Sequence, residues 1–558
     1  MSLSLISAVC CLVLLGAYLL FGKMLSRFFS LDDSHPTPAC SQNDGIDFVP
    51  AEKNLLLGQH FSAIAAASPI VGPILAGIWF GWLPALLWII FGSIFIGAVH
   101  DFASLVGSLR HGARSIAEIV KEHIGPNAYR FFLIYIWISL VYVITAFTDL
   151  TSASFVESQF GGGVATSSVI YLFIGLAMGV SLTRLKMPLW LATLIYVPLV
   201  GVTIWFGQSI PLTMPSWGGI RPQMMWNIFI LLYCFAASVL PMWILLQPRG
   251  YLGGFFLYGS LAAGLIGLFL SGSRVQYPAF LGFSTEKGMT LFPMLFVTIA
   301  CGACSGFHGL VSSGTTSKQV HKETDARLIG YGGMLLEALV GVIALATLML
   351  LAPGDALLGE SPDRIYANGL SRFVATMGIN PDFARSFALL AFATFIYDTL
   401  DVSTRLGRYV FQELTGWKGW KGSVASTVLT LAAPAYCVSL TVTDVRGNIV
   451  PAWKTFWTIF GTSNQLLAAL TLLGLTVWLK KEKKPGWVTA FPMVFMMTMA
   501  LWSLGRTIAP WAGRLVSGSF QWEFIPIIAI VLVVLSSLLI IESVKTLRRI
   551  PLTAIQKT

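Results

Sequence analysis

The sequence predicts an all-α polytopic membrane protein of about fifteen transmembrane helices, built on two inverted five-helix repeats that contain broken helices. Three observations carry this. Hydrophobic residues make up 56% of the 558-residue chain and charged residues only 11%, with a mean hydropathy of +0.77, whereas soluble domains carry roughly 25% charged residues. Apolar runs of about 20 residues, the length that crosses a bilayer, follow one another from end to end. Two of these runs are interrupted by proline, and an odd number of crossings separates them.

The formal charge of +10 does not point to nucleic acid. Lys and Arg stand in short clusters between apolar runs and form no basic face interleaved with aromatics. The expected partners are the lipid bilayer and a small solute. Of the seven cysteines, Cys10, Cys11, Cys234, Cys301, Cys304 and Cys437 fall inside apolar runs and Cys40 in a loop, so no disulfide framework is implied.

The first apolar run, residues 3–22, has no basic residue before it and no small-residue cleavage pattern after it, which reads as a retained helix rather than a secretory signal. Further runs cover 54–80, 82–109, 130–157, 164–182, 187–206, 224–247, 252–272, 290–313, 328–351, 384–404, 422–441, 455–479, 487–505 and 522–543. Of the 35 Lys and Arg, 25 follow odd-numbered runs and 10 follow even-numbered ones. Basic loops stay in the cytoplasm. The N-terminus is therefore expected outside, and the tail with Lys545, Arg548, Arg549 and Lys557 inside the cytoplasmic membrane. The expected organisation is an N-terminal helix and loop (1–53), two core halves (54–206 and 224–404) and C-terminal helices (405–558).

The second run carries Pro69, Gly72 and Pro73 near its middle, and the seventh carries Pro241. A proline removes a helical hydrogen bond and clashes with the preceding turn, so both runs are expected to be discontinuous. Five runs separate them, an odd offset that makes them cross the membrane in opposite senses. Inverted repeats with a binding site between them produce this pattern.

The run at 290–313 and its continuation to Gln319 concentrate Ser305, Gly306, His308, Gly309, Ser312, Ser313, Gly314, Thr315 and Thr316 at membrane depth. Hydrocarbon tolerates such groups where they face other helices or a wet cavity. Other ionisable residues inside runs are His60, His100, Asp101, Asp149, Glu157 and Glu337. His60, His308, Asp101 and Glu337 have no obvious partner in sequence, and histidine titrates in a range suited to a proton relay. Asp398 and Asp401 share a helix face with Arg405 one turn further on, either an ion-paired helix end or a functional set. Asn464 and Gln465 read as a ligand pair or as interhelical glue.

Several chemistries are absent. There is no HExxH, and the pair Cys301 and Cys304 followed by His308 matches neither haem attachment nor a four-ligand zinc site. Gly309 and Gly314 have Walker spacing, but Thr315 stands where the lysine belongs, and no Gly-x-Ser-x-Gly elbow occurs.

The blocks 58–77 (GQHFSAIAAASPIVGPILAG), 97–102 (GAVHDF), 108–115 (SLRHGARS), 299–319 (IACGACSGFHGLVSSGTTSKQ), 323–337 (ETDARLIGYGGMLLE), 398–409 (DTLDVSTRLGRY) and 460–470 (FGTSNQLLAAL) resemble the signature blocks of the carbon starvation protein A family. The resemblance runs in order from about Asp47 to about Trp478. It implies a cytoplasmic-membrane protein associated with peptide uptake under nutrient limitation, with a close branch importing pyruvate with protons, and it implies the inverted-repeat core of the amino acid, polyamine and organocation superfamily. The short stretch 353–385 stands where longer members carry a soluble insert. The expected function is a secondary transporter of small peptides, with pyruvate as the alternative. A membrane peptide sensor is the reading from another class, and no enzyme activity is expected. Substrate contacts are expected at His60, Ser68, Pro69, Gly72, Pro73, Asp101, Pro241 and Glu337. Coupling is expected at His60 and His308, with Ser312, Ser313, Thr315 and Thr316 as an ion or backbone relay. The coupling ion is expected to be the proton, with sodium as the other candidate, and neither cofactor nor resident metal is expected.

Overall fold

A computed structural model describes residues 2–549 apart from 46, 217, 287, 441, 444–448, 451 and 518–522. Lys557 of the expected cytoplasmic tail lies outside the described residues. Among the described residues the regular structure is nearly all helical, apart from a short antiparallel ribbon, β1 (Val442–Thr443) against β2 (Ile449–Val450), and isolated bridges. The helices are α1 (Leu3–Phe28), α2 (Lys53–Ile64), α3 (Ser68–Phe80), α4 (Trp82–Arg110), α5 (Ile116–His123), α6 (Pro126–Phe155), α7 (Gly161–Thr183), α8 (Leu189–Ser209), α9 (Pro222–Val239) and α10 (Leu246–Leu270). They continue as α11 (Leu291–Thr298), α12 (Gly306–Val311), α13 (Arg327–Met349), α14 (Pro362–Ala375), α15 (Pro381–Thr415), α16 (Gly419–Ser439), α17 (Ala452–Lys481), α18 (Trp487–Val516) and α19 (Phe524–Arg548).

Among the described residues, thirteen helices are long and apolar enough to cross a membrane, and the pair α2 and α3, bent by 43° at their break, has the length and composition of one further, broken span. The run at 290–313 is not one helix. It divides into α11 and α12 around a non-helical stretch at 299–305. Burial sorts the crossings into layers. The apolar window of α17 is buried along its whole length and that of α13 for 89%, whereas only 22% of the window in α8 and 28% of that in α1 are covered. The first two belong to the protein core and the last two present Trp190, Trp205, Leu12 and Leu20 as apolar surface of the kind lipid covers.

The two breaks lie side by side, the first set by its own backbone and the second held by its neighbours. Helix α2 stops at Ile64, where Ala65 turns to φ −78° and ψ 61°, and Pro69 then occupies the first turn of α3, a place where its missing N–H costs nothing. The interruption therefore precedes Pro69, and Pro73 sits inside a continuing helix. The stretch 299–305 frees backbone groups that neighbours then satisfy. Trp88 Nε1 donates to the Ile299 carbonyl (3.2 Å), Gln465 Nε2 to the Cys304 carbonyl (2.8 Å), and the Phe307 N–H to Asn464 Oδ1 (2.8 Å). Across the gap, the Cys301 N–H reaches Ser68 Oγ at 3.4 Å. Neighbouring helices approach this backbone so closely that a Cβ at Gly97 would stand 2.2 Å from the Ala303 carbonyl oxygen, and one at Gly72 2.5 Å from that of Thr298.

Pro241 does not break a spanning helix. It lies in the connection between α9 and α10, after Val239 has ended the one and before Leu246 begins the other. Proline at that point closes a helix instead of interrupting it; the second break lies in the stretch between α11 and α12.

Candidate functional site

Below the paired breaks, four helices bring their titratable side chains together with no exposure to solvent. His60 comes from α2, His100 and Asp101 from α4, His308 from α12 and Glu337 from α13. Asp101 is the hub. Its Oδ1 lies 2.8 Å from His100 Nδ1 and its Oδ2 2.8 Å from His308 Nδ1, while the far nitrogen of His308 stands 3.2 Å from Glu337 Oε2. Cys301, from the second break, lies within 4.8 Å of the ligand atoms of His308 and Glu337. His60 Nδ1 is 2.8 Å from Thr316 Oγ1.

The tautomer of each ring decides which groups donate in this wiring. When both rings donate Nδ1–H to the Asp101 carboxylate, His308 Nε2 and Glu337 Oε2 face each other, and two lone pairs at that distance in a dry site repel. A proton on the ring or on the carboxyl relieves that repulsion, although the two atoms form no hydrogen bond in this arrangement. The geometry therefore builds a proton-holding string from His100 through Asp101 and His308 to Glu337. Local backbone shape supports it: π turns occupy 93–97 before His100, 312–316 after His308 and 327–332 before Glu337, a distortion frequent at functional sites.

The hydroxyls expected to act as a relay divide. Thr316 joins His60, but Ser313 donates to the Gly309 carbonyl (2.7 Å) and Thr315 to that of Val311 (3.1 Å), bonding back into their own helix. Ser312 Oγ is buried with no hydrogen-bond partner. Ser68, Pro69, Gly72 and Pro73 line the first break and are buried. Pro241 lies in the connection between α9 and α10 and belongs to neither break. Asn464 and Gln465 act on the second break as backbone partners: Asn464 Nδ2 also donates to Ser305 Oγ at 2.9 Å. Glu157 lies past the end of α6, where Arg364 Nη2 donates to its Oε1 at 2.6 Å.

Asp398 and Asp401 do not form an ion-paired helix end with Arg405. They sit within the 35-residue α15, and their counter-ion is Arg249, a residue from the first turn of α10 that sequence reasoning assigned to a loop. Arg249 Nη2 lies 2.5 Å from Asp398 Oδ1 and Nη1 2.6 Å from Asp401 Oδ2. Tyr233 and Ser62 complete the network by hydrogen bonds to Asp401 and Asp398 respectively. Arg405 instead donates to the carbonyls of Ala237 (2.9 Å) and Leu240, capping α9 beside Pro241. The signal for Arg249 was its place in the short stretch between the apolar runs 224–247 and 252–272. A lone arginine between two abutting runs is costly unless paired.

A polar cavity of about 1230 Å³ opens at the ends of α4, α5 and α15. Arg110, Arg114, Lys318, Arg408 and Glu413 line it, and it reaches Leu310, Ser313 and Gly314, within two turns of His308. At its rim, burial, helped by the neighbouring His111, pushes the His123 imidazole down to about 4.

The family model for carbon starvation protein CstA matches residues 1–367 and 355–503. The peptide transporter CstA of Campylobacter jejuni is 32% identical over 91% of this chain and 80% of its own length, and that of Escherichia coli K12 is 31% identical over 89% and 79%. The pyruvate/proton symporter BtsT of Escherichia coli K12 is equally near, 32% identical over 88% of this chain and 80% of its own.

Proposed function

The chain belongs to the carbon starvation protein CstA family, and we propose that it is a secondary active transporter importing small peptides across the cytoplasmic membrane with protons. The observation that carries the coupling is the buried string of His100, Asp101, His308 and Glu337. It sets a ring nitrogen and a carboxylate oxygen 3.2 Å apart, where a proton relieves their repulsion, and it lies against both helix breaks. Six crossings lie between the broken segments. Taking α11 with α12 as a further broken crossing puts it seventh after the first, an odd offset like the one expected from Pro241, so the two run in opposite senses and are candidates for inverted-repeat counterparts. The resulting total of fifteen leaves the termini on opposite sides. The basic loops assign the ends of α4, α5 and α15 to the cytoplasm and the N-terminus to the outside. On that assignment the large cavity faces inward and the described conformation is the one that releases substrate. The proton is the proposed coupling ion in preference to sodium, because imidazoles dominate the cluster and they ligate protons rather than a hard cation.

Peptides are favoured over pyruvate by Glu337. Neither of its carboxylate oxygens has a hydrogen-bond partner among the described residues, and a peptide brings an amino terminus that needs such an acceptor, whereas for pyruvate an unpaired carboxylate beside the path is a burden. Pyruvate is the second reading, favoured by the name of the Escherichia coli symporter. Purified protein in liposomes with an imposed proton gradient tests both, using labelled dipeptide and labelled pyruvate in parallel. Dipeptide accumulation is expected. Movement of pyruvate alone would establish the second reading, and movement of neither would point to a peptide sensor and overturn the proposal.

A further inference from the structure

Outside the membrane-spanning helices, at the rim of the large cavity, two histidines point ring nitrogens at each other. His111 follows the last turn of α4 and His123 ends α5. Their Nε2 atoms lie 2.8 Å apart with the ring planes at 89°. His111 Nδ1 stands 2.6 Å from the Gly107 carbonyl oxygen, which accepts only a proton-bearing nitrogen, so His111 Nε2 carries its lone pair outward. The Trp478 ring packs edge-on at 5.4 Å and holds the imidazole in that orientation. The carboxylate of Glu122, next to His123, falls with both nitrogens inside 4.8 Å.

We propose that His111, His123 and Glu122 form a binding site for a divalent first-row transition cation such as zinc. The donor set decides the class. Two imidazoles and one carboxylate without sulfur suit zinc and its neighbours, whereas calcium and magnesium demand mostly oxygen ligands. The carbonyl behind His111 is the outer partner that metal-ligating histidines regularly have. Two nitrogens each about 2.0–2.1 Å from a tetrahedral ion stand a little over 3 Å apart, so the ion enters by replacing the proton between the rings with a small opening of the pair. His111 and Glu122 both line the cavity, which leaves a fourth position open to water or solute. Bound metal would tie the end of α4 to the end of α5 across the loop containing Gly112, which adopts φ +72°. The site is independent of the transport reading, since none of its residues belongs to the proposed coupling string.

The test is titration of the purified full-length protein, stripped with chelator, with Co²⁺, reading the visible absorption of a tetrahedral ion, and with Zn²⁺ in competition. One saturable equivalent per chain is expected. His111→Gln is expected to abolish the absorption and to weaken Zn²⁺ by more than the roughly 10- to 100-fold that loss of a supporting hydrogen bond costs. Glu122→Gln changes an exposed side chain and keeps the test valid if the histidine variant fails to fold; it is expected to shift the spectrum and lower the affinity. Cys301→Ser, in the buried trio with His308 and Glu337, is expected to leave binding unchanged. Absence of saturable binding, binding untouched by both rim variants, or binding lost only with Cys301→Ser would each overturn the proposal.

Discussion

Replacing Arg249 by methionine removes the counter-ion of two carboxylates that solvent does not reach. Arg249 is fully buried, with Asp398 and Asp401 only 4% and 2% exposed, and the guanidinium approaches them at 2.5 and 2.6 Å. Removing one partner of a buried pair costs about 3–5 kcal/mol, because the remaining charge has neither water nor a counter-charge. Here two acids are stranded by one change, which places the cost at the upper end, about 5 kcal/mol. Whole folds are stable by about 5–15 kcal/mol, so this single substitution takes a large share. The unfolding temperature of the detergent-purified protein reports it, and a marked fall is expected for Arg249→Met. Neutralising the acids by adding Asp398→Asn and Asp401→Asn is then expected to recover most of the loss, since an uncharged site of similar volume no longer carries a desolvated charge. A single variant that unfolds with the unaltered protein, or a triple variant no better than the single, would refute the charge-compensation argument.

His308→Gln keeps an amide donor in the same space but holds no exchangeable charge. It is expected to end uphill accumulation of substrate while folded protein stays abundant, the loss being one charge-assisted hydrogen bond of about 1.5–3 kcal/mol, and full accumulation by this variant would remove His308 from coupling. Gln is the apt replacement, because an alanine would leave Asp101 and Glu337 without their shared partner in a packed site. Gly97→Ala places a methyl 2.2 Å from the Ala303 carbonyl and is expected to cost about 1–3 kcal/mol by overpacking, seen as reduced abundance beside a neutral Gly16→Ala, where nothing lies within 4 Å. Reporters fused after Thr558 and before Met1 are expected to sense cytoplasm and exterior respectively, and the same side for both would mean that the number of crossings is even and the count has the wrong parity.

The class of fold was legible because bilayer thickness imprints itself on apolar run length, and every run found in the sequence contains helix, with 290–313 divided in two. What sequence did not reveal is where helices break. Pro69 was read as the break and is instead the start of α3; the interruption is set by Ala65, which carries no turn signal of its own. Pro241 marks a helix end for the same reason that it suggested a break: loss of an N–H serves either purpose. The second break has no proline within it. Its backbone is freed because Trp88, Asn464 and Gln465 offer better partners than its own helix, a tertiary cause invisible to local pattern. In the candidate site, His308, Asp101 and Glu337 were legible as costly intramembrane groups, yet their mutual pairing was not, since 236 positions separate Asp101 from Glu337. Arg249 was missed because a boundary drawn between two abutting runs placed it in a loop, and only the length of α10 shows it inside the protein.

Coupling is the central claim, and proton movement measures it most directly. Liposomes containing the purified protein and an internal pH dye, with no imposed gradient, are given an inward gradient of unlabelled dipeptide. The account predicts internal acidification as peptide carries protons inward, absent in protein-free vesicles and lost in His308→Gln. Dipeptide entry at an undiminished rate with no change in internal pH would contradict it.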